Sequence, residues 1–260
     1  SQLSGKFKKI DFSVGFRVEN TNVNGKFKTD LLPLIAKNYT NFFPKAQFTF
    51  PVDSTKNISI NYAKSISRPN YSSLSQGATY INPYFLYARN INLPPTFTNE
   101  IATTFQYHDK SVKLSYYQNK NPVYSSFIYD EGDNIMTFKE VNLDKESGIS
   151  LDFELPFNYK FWTTANSVIF ILEKIEDSSA VFLSSKPYIY YYSNNEFKFP
   201  KDYTFVVGWW GATKQNKGVF ERSANFIMDM CLWKKIKNWN ITLSCNDIFR
   251  NTIYKEQFTI

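Results

Sequence analysis

Between Asn57 and Ile66 the chain alternates with period two. Ile58, Ile60, Tyr62, Lys64 and Ile66 are apolar or long-stemmed, and the residues between them are small or polar. Such alternation gives a β-strand one apolar and one polar face. Arg68-Pro69-Asn70 ends the pattern, and the segment 68–97 that follows is rich in Tyr, Asn, Pro and Ser with no apolar face. A strand with one greasy face therefore runs straight into a long polar and aromatic loop.

The same alternation recurs along the chain. Ile10, Phe12, Val14, Phe16 and Val18 interleave with Asp11, Ser13, Gly15, Arg17 and Glu19, and a polar stretch with Asn24-Gly25 follows. The stretch 43–52 reads as the next strand, with Ala46, Phe48, Phe50 and Val52 on one face and Pro44 and Pro51 near its ends. After the long loop, Ile101, Thr103, Phe105 and Tyr107 lead to a turn at 108–110, and Val112, Leu114 and Tyr116 begin the return. Strand-like sequence continues through 123–129, a turn at 130–134, and 135–155. Further strands fit 161–173, 181–198, 202–210, 219–233 and 239–249, with Ala224, Phe226, Met228, Met230 and Leu232 sharing a face. The expectation is an all-β meander of about eleven antiparallel strands.

Connection lengths sharpen this picture. Short turns at 53–56, 108–110, 156–160, 199–201 and 234–238 fall at one end of the meander. The longer segments, 20–42 and 68–97 above all, fall mostly at the other. An outer-membrane barrel sorts its connections this way, and its tilted strands need roughly 9–11 residues to cross the hydrocarbon. In a soluble sandwich two apolar faces meet each other and the alternation looks the same. The loop sorting, the length of the meander and the polar faces favour the barrel. In that reading Phe12, Val14, Phe16, Ile58, Ile60, Phe226, Met228 and Met230 face lipid. Tyr190, Tyr192, Trp209, Trp210 and Trp239, near strand ends, sit at the membrane interface.

Composition agrees with one-faced strands. Aromatics make up 18% of the 260 residues, yet only 43% are hydrophobic and mean hydropathy is −0.38. Apolar runs such as Val168–Leu172 fall far short of the roughly 18 residues a spanning helix needs. The net charge of +7 permits contact with phosphate-bearing lipid or nucleic acid. The basic residues are scattered, however, with the densest cluster, Lys234-Lys235-Ile236-Lys237, in a turn. Solvated turns account for them, and no nucleic-acid partner is expected. Cys231 and Cys245 are predicted on opposite strand faces, which excludes a disulfide, and they lack metal-ligand spacing.

Four sequence elements then resemble a known family. They are Ser65–Leu74 (SISRPNYSSL), Ile81–Tyr84 (INPY), Asn90–Glu100 (NINLPPTFTNE) and Leu243–Phe258 (LSCNDIFRNTIYKEQF). In this order they resemble the C-terminal half of Bacteroidetes-type outer-membrane β-barrel proteins, relatives of the TonB-dependent receptors. The resemblance implies a barrel of about 22 strands, of which residues 1–260 form part, with a plug domain and the remaining strands outside this chain. It implies energised import of a bulky nutrient: an iron chelate, a glycan, a peptide or a cobalamin-like compound. The implied partners are outer-membrane lipid, the TonB complex through an N-terminal part, and a surface lipoprotein. A structural or assembly barrel of a secretion or surface complex, and a soluble carbohydrate-binding or adhesion module, remain alternatives.

Chemistry is sparse. The single histidine, His108, stands beside Asp109 in a tight turn that offers no pocket, and Asp152 and Glu154 share the polar face of one strand. No glycine-rich phosphate loop or metal cluster is present. The expectation is a binding protein without enzymatic activity or cofactor. The contact surface falls on the long loop, where Tyr71, Tyr80, Tyr84, Tyr87 and Arg89 combine flat faces with hydrogen-bonding tips.

Overall fold

A computed structural model describes residues 1–26, 33–70, 72–74, 77–178, 182–252 and 255–258. No helix occurs among them. The chain begins with β1 (Gln2–Phe7), β2 (Ile10–Lys26), β3 (Pro33–Pro51), β4 (Lys56–Ser67), β5 (Ala78–Asn82), β6 (Phe85–Ala88) and β7 (Thr96–Tyr107). It continues with β8 (Lys110–Lys120), β9 (Val123–Asp130), β10 (Ile135–Asn142), β11 (Lys145–Glu154), β12 (Phe157–Tyr159), β13 (Trp162–Glu176) and β14 (Tyr188–Phe199). Last come β15 (Tyr203–Ala212), β16 (Gln215–Lys217), β17 (Phe220–Arg222), β18 (Asn225–Ile236), β19 (Trp239–Cys245) and β20 (Glu256–Phe258).

One large antiparallel sheet runs β1-β2-β3-β4-β7-β8-β11-β13-β14-β15-β18-β19, with β12 prolonging the β11 row against β13. Its register shows why the alternation exists. The rung Phe12–Phe48–Ile60–Thr103–Leu114–Leu151–Phe170–Ile189 crosses eight strands on one face. The next rung, Ser13–Gln47–Asn61–Ala102–Ser115–Ser150–Ile171–Tyr188, lies on the other. Period two in each strand thus becomes an apolar face and a mainly polar face for the whole sheet. No protein layer covers the apolar face: Phe16, Ile101, Leu114, Ile149, Phe170, Leu172 and Leu243 are all exposed.

The apolar face carries a buried polar cluster near the turn end of β13 and β14. Thr164, Ser193 and Asn195 are nearly inaccessible there, Thr164 being only 3% exposed. Asn166 Oδ1 accepts from Ser193 Oγ at 2.6 Å and from Thr164 Oγ1 at 3.3 Å. Asn195 Nδ2 donates to Ser193 at 2.9 Å, and Trp162 Nε1 donates to Asn195 Oδ1 at 3.1 Å. The polar side chains therefore satisfy one another, as an apolar environment demands.

Both ends of the sheet are distinctive. At one end, two-residue turns join β1–β2, β7–β8, β12–β13 and β18–β19, and their first residues, Lys8, His108, Lys160 and Lys237, take φ of 50–56°. Tight hairpins need a positive φ there to match strand twist. At the other end the connections fold on themselves. β5, β6, β10 and β9 make a second sheet and β16, β17 and β20 a third.

Several strand boundaries differ from the expectation. The stretch 135–155 divides at Leu143-Asp144 into a loop strand and a wall strand, and 219–233 divides at Ser223-Ala224. β1 adds a strand that the alternation did not reveal. β3 starts at Pro33 and runs through Pro44, which is not near its end. Pairing with β4 begins only at Lys45, so Pro44 needs no donor on that side.

Candidate functional site

The loop end holds a chamber. A cavity of 480 Å³ lies between the polar face of the sheet and the folded loops, lined among others by Arg68, Thr96, Thr98, Asn119, Tyr124, Glu140, Glu146 and Lys217. A second, of 400 Å³, is lined by Tyr39, Leu74, Ile91, Leu93 and Pro95. Arg68 and Pro69, directly after β4, border both.

The charged groups of the chamber are held by the wall strands. Arg68 Nη2 donates to Glu19 Oε2 at 2.6 Å and to Thr21 Oγ1 at 3.1 Å. Glu19 also pairs with Arg17 at 2.9 Å. Lys217, from the β16–β17 hairpin, reaches Glu173 Oε2 on β13 at 2.7 Å. Tyr188 donates to the same oxygen at 2.9 Å and Tyr117 at 3.4 Å, while Glu173 Oε1 is buried with no partner. Tyr117 can lie there because its strand neighbour is Gly148, where a Cβ would meet the ring at 2.6 Å. Glu146, two residue pairs away on the same face, accepts from Asn119 Nδ2 at 3.2 Å and from the Tyr124 hydroxyl. Burial, and then the Glu146 carboxylate, push the Tyr124 phenol up, so it keeps its proton and donates. Arg68 and Lys217 are thus already matched by carboxylates, whereas among the described residues Glu146 accepts from neutral donors.

The loops above are fastened by aromatic rings. Phe127 stacks on Phe258 at 4.1 Å and lies 4.9 Å from Phe138, 5.7 Å from Phe220 and 6.2 Å from Phe85. These rings come from β6, β9, β10, β17 and β20, so the second and third sheets meet through one cluster. The sequence carried a signal for part of this: two apolar stretches flanking the 130–134 turn are a hairpin pattern.

The residues expected to contact ligand are dispersed. Tyr80 and Tyr84 stand exposed on the β5–β6 hairpin, Tyr84 at 66%. Tyr87 is turned toward Phe138, with ring centres 6.0 Å apart. Arg89 follows the hairpin, its amide bonded to Gly77 O at 2.9 Å. Tyr71 lies outside the described residues. None of the four described residues lines the chamber, whose walls come from the Ser65–Leu74 and Asn90–Glu100 stretches, from β8 to β11 and from the β16–β17 hairpin.

The register sorts the other residues. Phe12, Val14, Phe16, Ile58, Ile60, Phe226, Met228 and Met230 all stand on the apolar face. Trp209 pairs with Met228 and Trp239 with Ile236, on the same face. Tyr190, Tyr192 and Trp210 stand on the opposite, mainly polar face, where Tyr190 donates to Gln215 Oε1 at 3.2 Å. Cys231 and Cys245 fall on opposite faces. Asp152 and Glu154 share the polar face. Among the described residues no cluster of His, Cys, Asp or Glu is arranged to hold a metal ion.

A single sheet with one bare apolar face and one polar face, tight turns at one end and packed loops at the other, is the wall of a membrane-spanning β-barrel. The chain belongs to the outer membrane protein beta-barrel family, whose model matches residues 1–260, and it resides in the bacterial outer membrane. Its fold resembles solved receptors at low identity. The ferric enterobactin receptor of Pseudomonas aeruginosa matches with a TM-score of 0.60 at 13% identity, over 94% of this chain and 38% of that one. The siderophore receptor PirA of Acinetobacter baumannii matches with 0.60 at 12%, over 94% and 40%. The FrpB iron transporter of Neisseria meningitidis matches with 0.62 at 11%, over 99% and 42%. The chain thus spans about two fifths of these structures. A search of curated proteins finds no match.

Proposed function

We propose that this chain is part of the wall of an outer-membrane receptor that imports a bulky nutrient with energy delivered through TonB. The observation that carries the reading is the lined cavity at the loop end, open to solvent on one side, between a charged inner wall and loops joined by aromatic rings. A barrel that only anchors other proteins has no need of a folded cap over a lined cavity. The structural likeness to siderophore and iron receptors supports the same class. In the full protein, further strands close the cylinder and a plug domain fills it.

In this reading Phe12, Val14, Phe16, Ile58, Ile60, Phe226, Met228 and Met230 meet acyl chains. Trp239 and Trp209 belong to that outer surface, and Tyr190, Tyr192 and Trp210 face the lumen. The exposed Tyr80 and Tyr84, with Tyr87 and Arg89, form an outer contact for cargo or for a surface lipoprotein. The role is binding and passage, without chemistry on the cargo.

The test is uptake by cells carrying or lacking the full-length gene, supplied in turn with a ferric chelate, an oligosaccharide, a peptide and a cobalamin. At least one should accumulate only with the gene present and the proton gradient intact. Loss of surface-protein export in the deletion strain, with uptake of every cargo unchanged, would overturn the proposal in favour of an assembly barrel.

A further inference from the structure

The chain's positive charge is not spread evenly. Within two residues of the six short turns, at 8–9, 52–55, 108–109, 160–161, 200–202 and 237–238, lie ten lysines, Lys6, Lys8, Lys9, Lys56, Lys110, Lys160, Lys198, Lys201, Lys235 and Lys237. Five carboxylates accompany them: Asp11, Asp53, Asp109 and Asp202 in the same stretches, and Glu196 as the partner of Lys198. These groups together carry +5 of the chain's +7, and everything else, chamber and loops included, carries +2. Lys6, Lys56, Lys110 and Lys198 pair with neighbouring carboxylates. Lys8, Lys9, Lys160, Lys201, Lys235 and Lys237 are exposed and have no carboxylate partner among the described residues.

Their position is as informative as their number. Lys8 lies over the Phe7 ring at 5.7 Å, Lys56 over Tyr107 at 5.6 Å, Lys160 over Tyr159 at 5.1 Å and Lys234 over Tyr203 at 3.7 Å. By register, all four rings stand on the apolar face. Each ammonium thus sits on the aromatic edge of the surface that enters hydrocarbon, with its stem along the apolar side. Short turns of such barrels lie at the periplasmic end, so this rim stands at the headgroups of the inner leaflet.

We infer that the turn end is a docking surface for the phosphate headgroups of anionic phospholipids. Complementary charge attracts the headgroup, the rings beneath accept the first acyl carbons, and the ammonium groups sit within reach of the phosphate oxygens. Lysine suits this better than arginine, because its flexible stem lets one point charge follow a mobile headgroup. A rim used only for solubility would place its charges away from the apolar edge rather than over its rings.

The test uses the full-length protein reconstituted with lipids brominated on the acyl chains, either phosphatidylglycerol or phosphatidylcholine. Quenching of tryptophan fluorescence reports which lipid occupies the rim, since Trp162 and Trp239 lie at the turn end of the apolar face. The wild-type protein should favour the anionic lipid about fivefold, and about 0.5 M salt should erase most of that preference. Replacing Lys8, Lys9, Lys160, Lys201, Lys235 and Lys237 by Gln should bring it to unity, and replacing them by Arg should preserve it. Absence of preference in the wild type, or a preference indifferent to salt, overturns the inference even if the Gln variant fails to insert. Loss of the preference on adding about 10 mM inorganic phosphate, beyond its effect on ionic strength, would reveal a free-anion site and also overturn it. The readout does not depend on what the barrel transports.

Discussion

Replacing Glu173 by Gln keeps the shape of the side chain and an acceptor for Tyr188 and Tyr117, and removes only the charge that Lys217 answers. The Glu173 side chain is 0% exposed and that of Lys217 24%. Orphaning one partner of a buried pair costs about 3–5 kcal/mol. The residual exposure of Lys217 places this pair at the lower end. The β16–β17 hairpin can also swing out and rehydrate the ammonium, so the loss cannot exceed the free energy that docks the hairpin, including the Asn216 bond to Ser184 O at 2.7 Å. A loss of about 3 kcal/mol raises the open population roughly 150-fold. Amide hydrogen exchange over Gln215–Arg222, measured on the full-length protein in detergent, should rise by that order while the wall strands stay protected. The double variant Glu173→Leu, Lys217→Met should recover most of the protection, because an apolar pair replaces a buried ion pair at little cost. Exchange in Glu173→Gln within twofold of wild type would refute the argument that this pair holds the hairpin down.

Three further outcomes follow from the geometry. Phe48→Arg on the apolar face should cost about 2–4 kcal/mol in lipid, and the adjacent Gln47→Arg on the polar face should be tolerated; equal unfolding midpoints in vesicles would contradict the face assignment. Gly148→Ala should displace the Tyr117 ring, which a Cβ would approach to 2.6 Å, at about 1–3 kcal/mol, while Tyr117→Ala in the same background should restore the melting temperature lost to the clash. In the β3–β4 turn, the Asp53 carboxylate accepts from the Thr55 hydroxyl at 2.7 Å, the Thr55 amide at 2.8 Å and the Lys56 amide at 2.9 Å. The Thr55 hydroxyl first, then the Thr55 amide and the Lys56 ammonium at 3.4 Å, bring its pKa down from 3.8 to about 2. A depressed carboxylate stabilises the turn fully above pH 4 and loses that effect as pH falls through about 2. The Thr55 amide resonance should titrate at that lower value, and a midpoint near 4 would sink the reading.

The wall was legible because its rule is local. Ile58, Ile60 and Tyr62 declare a face without any neighbour, and so do Phe12, Val14 and Phe16. Where the local rule is silent, only pairing decides. The run Tyr190-Tyr191-Tyr192 shows no alternation, and it is the register of Ser193 with Trp209 that sends Tyr191 to one side and its neighbours to the other. The loop sheets were hidden for a related reason. The stretches 123–129 and 135–142 have strand composition, and only the aromatic contacts with Phe220 and Phe258, far away in sequence, make them part of a cap. The chamber was partly visible through Arg68, in the Ser-Arg-Pro motif. Glu146, Glu173 and Lys217 gave no sign, because a charged residue facing a wet lumen looks the same in sequence whether it is solvated or clamped.

The knot of five phenylalanines ties together three connections between wall strands and the segment after β19. Segments joined through shared rings do not flap independently. The cap therefore answers to displacement as one body rather than as four separate loops. Trimming the Phe127 ring, which touches the other four, would loosen all of its attachments together.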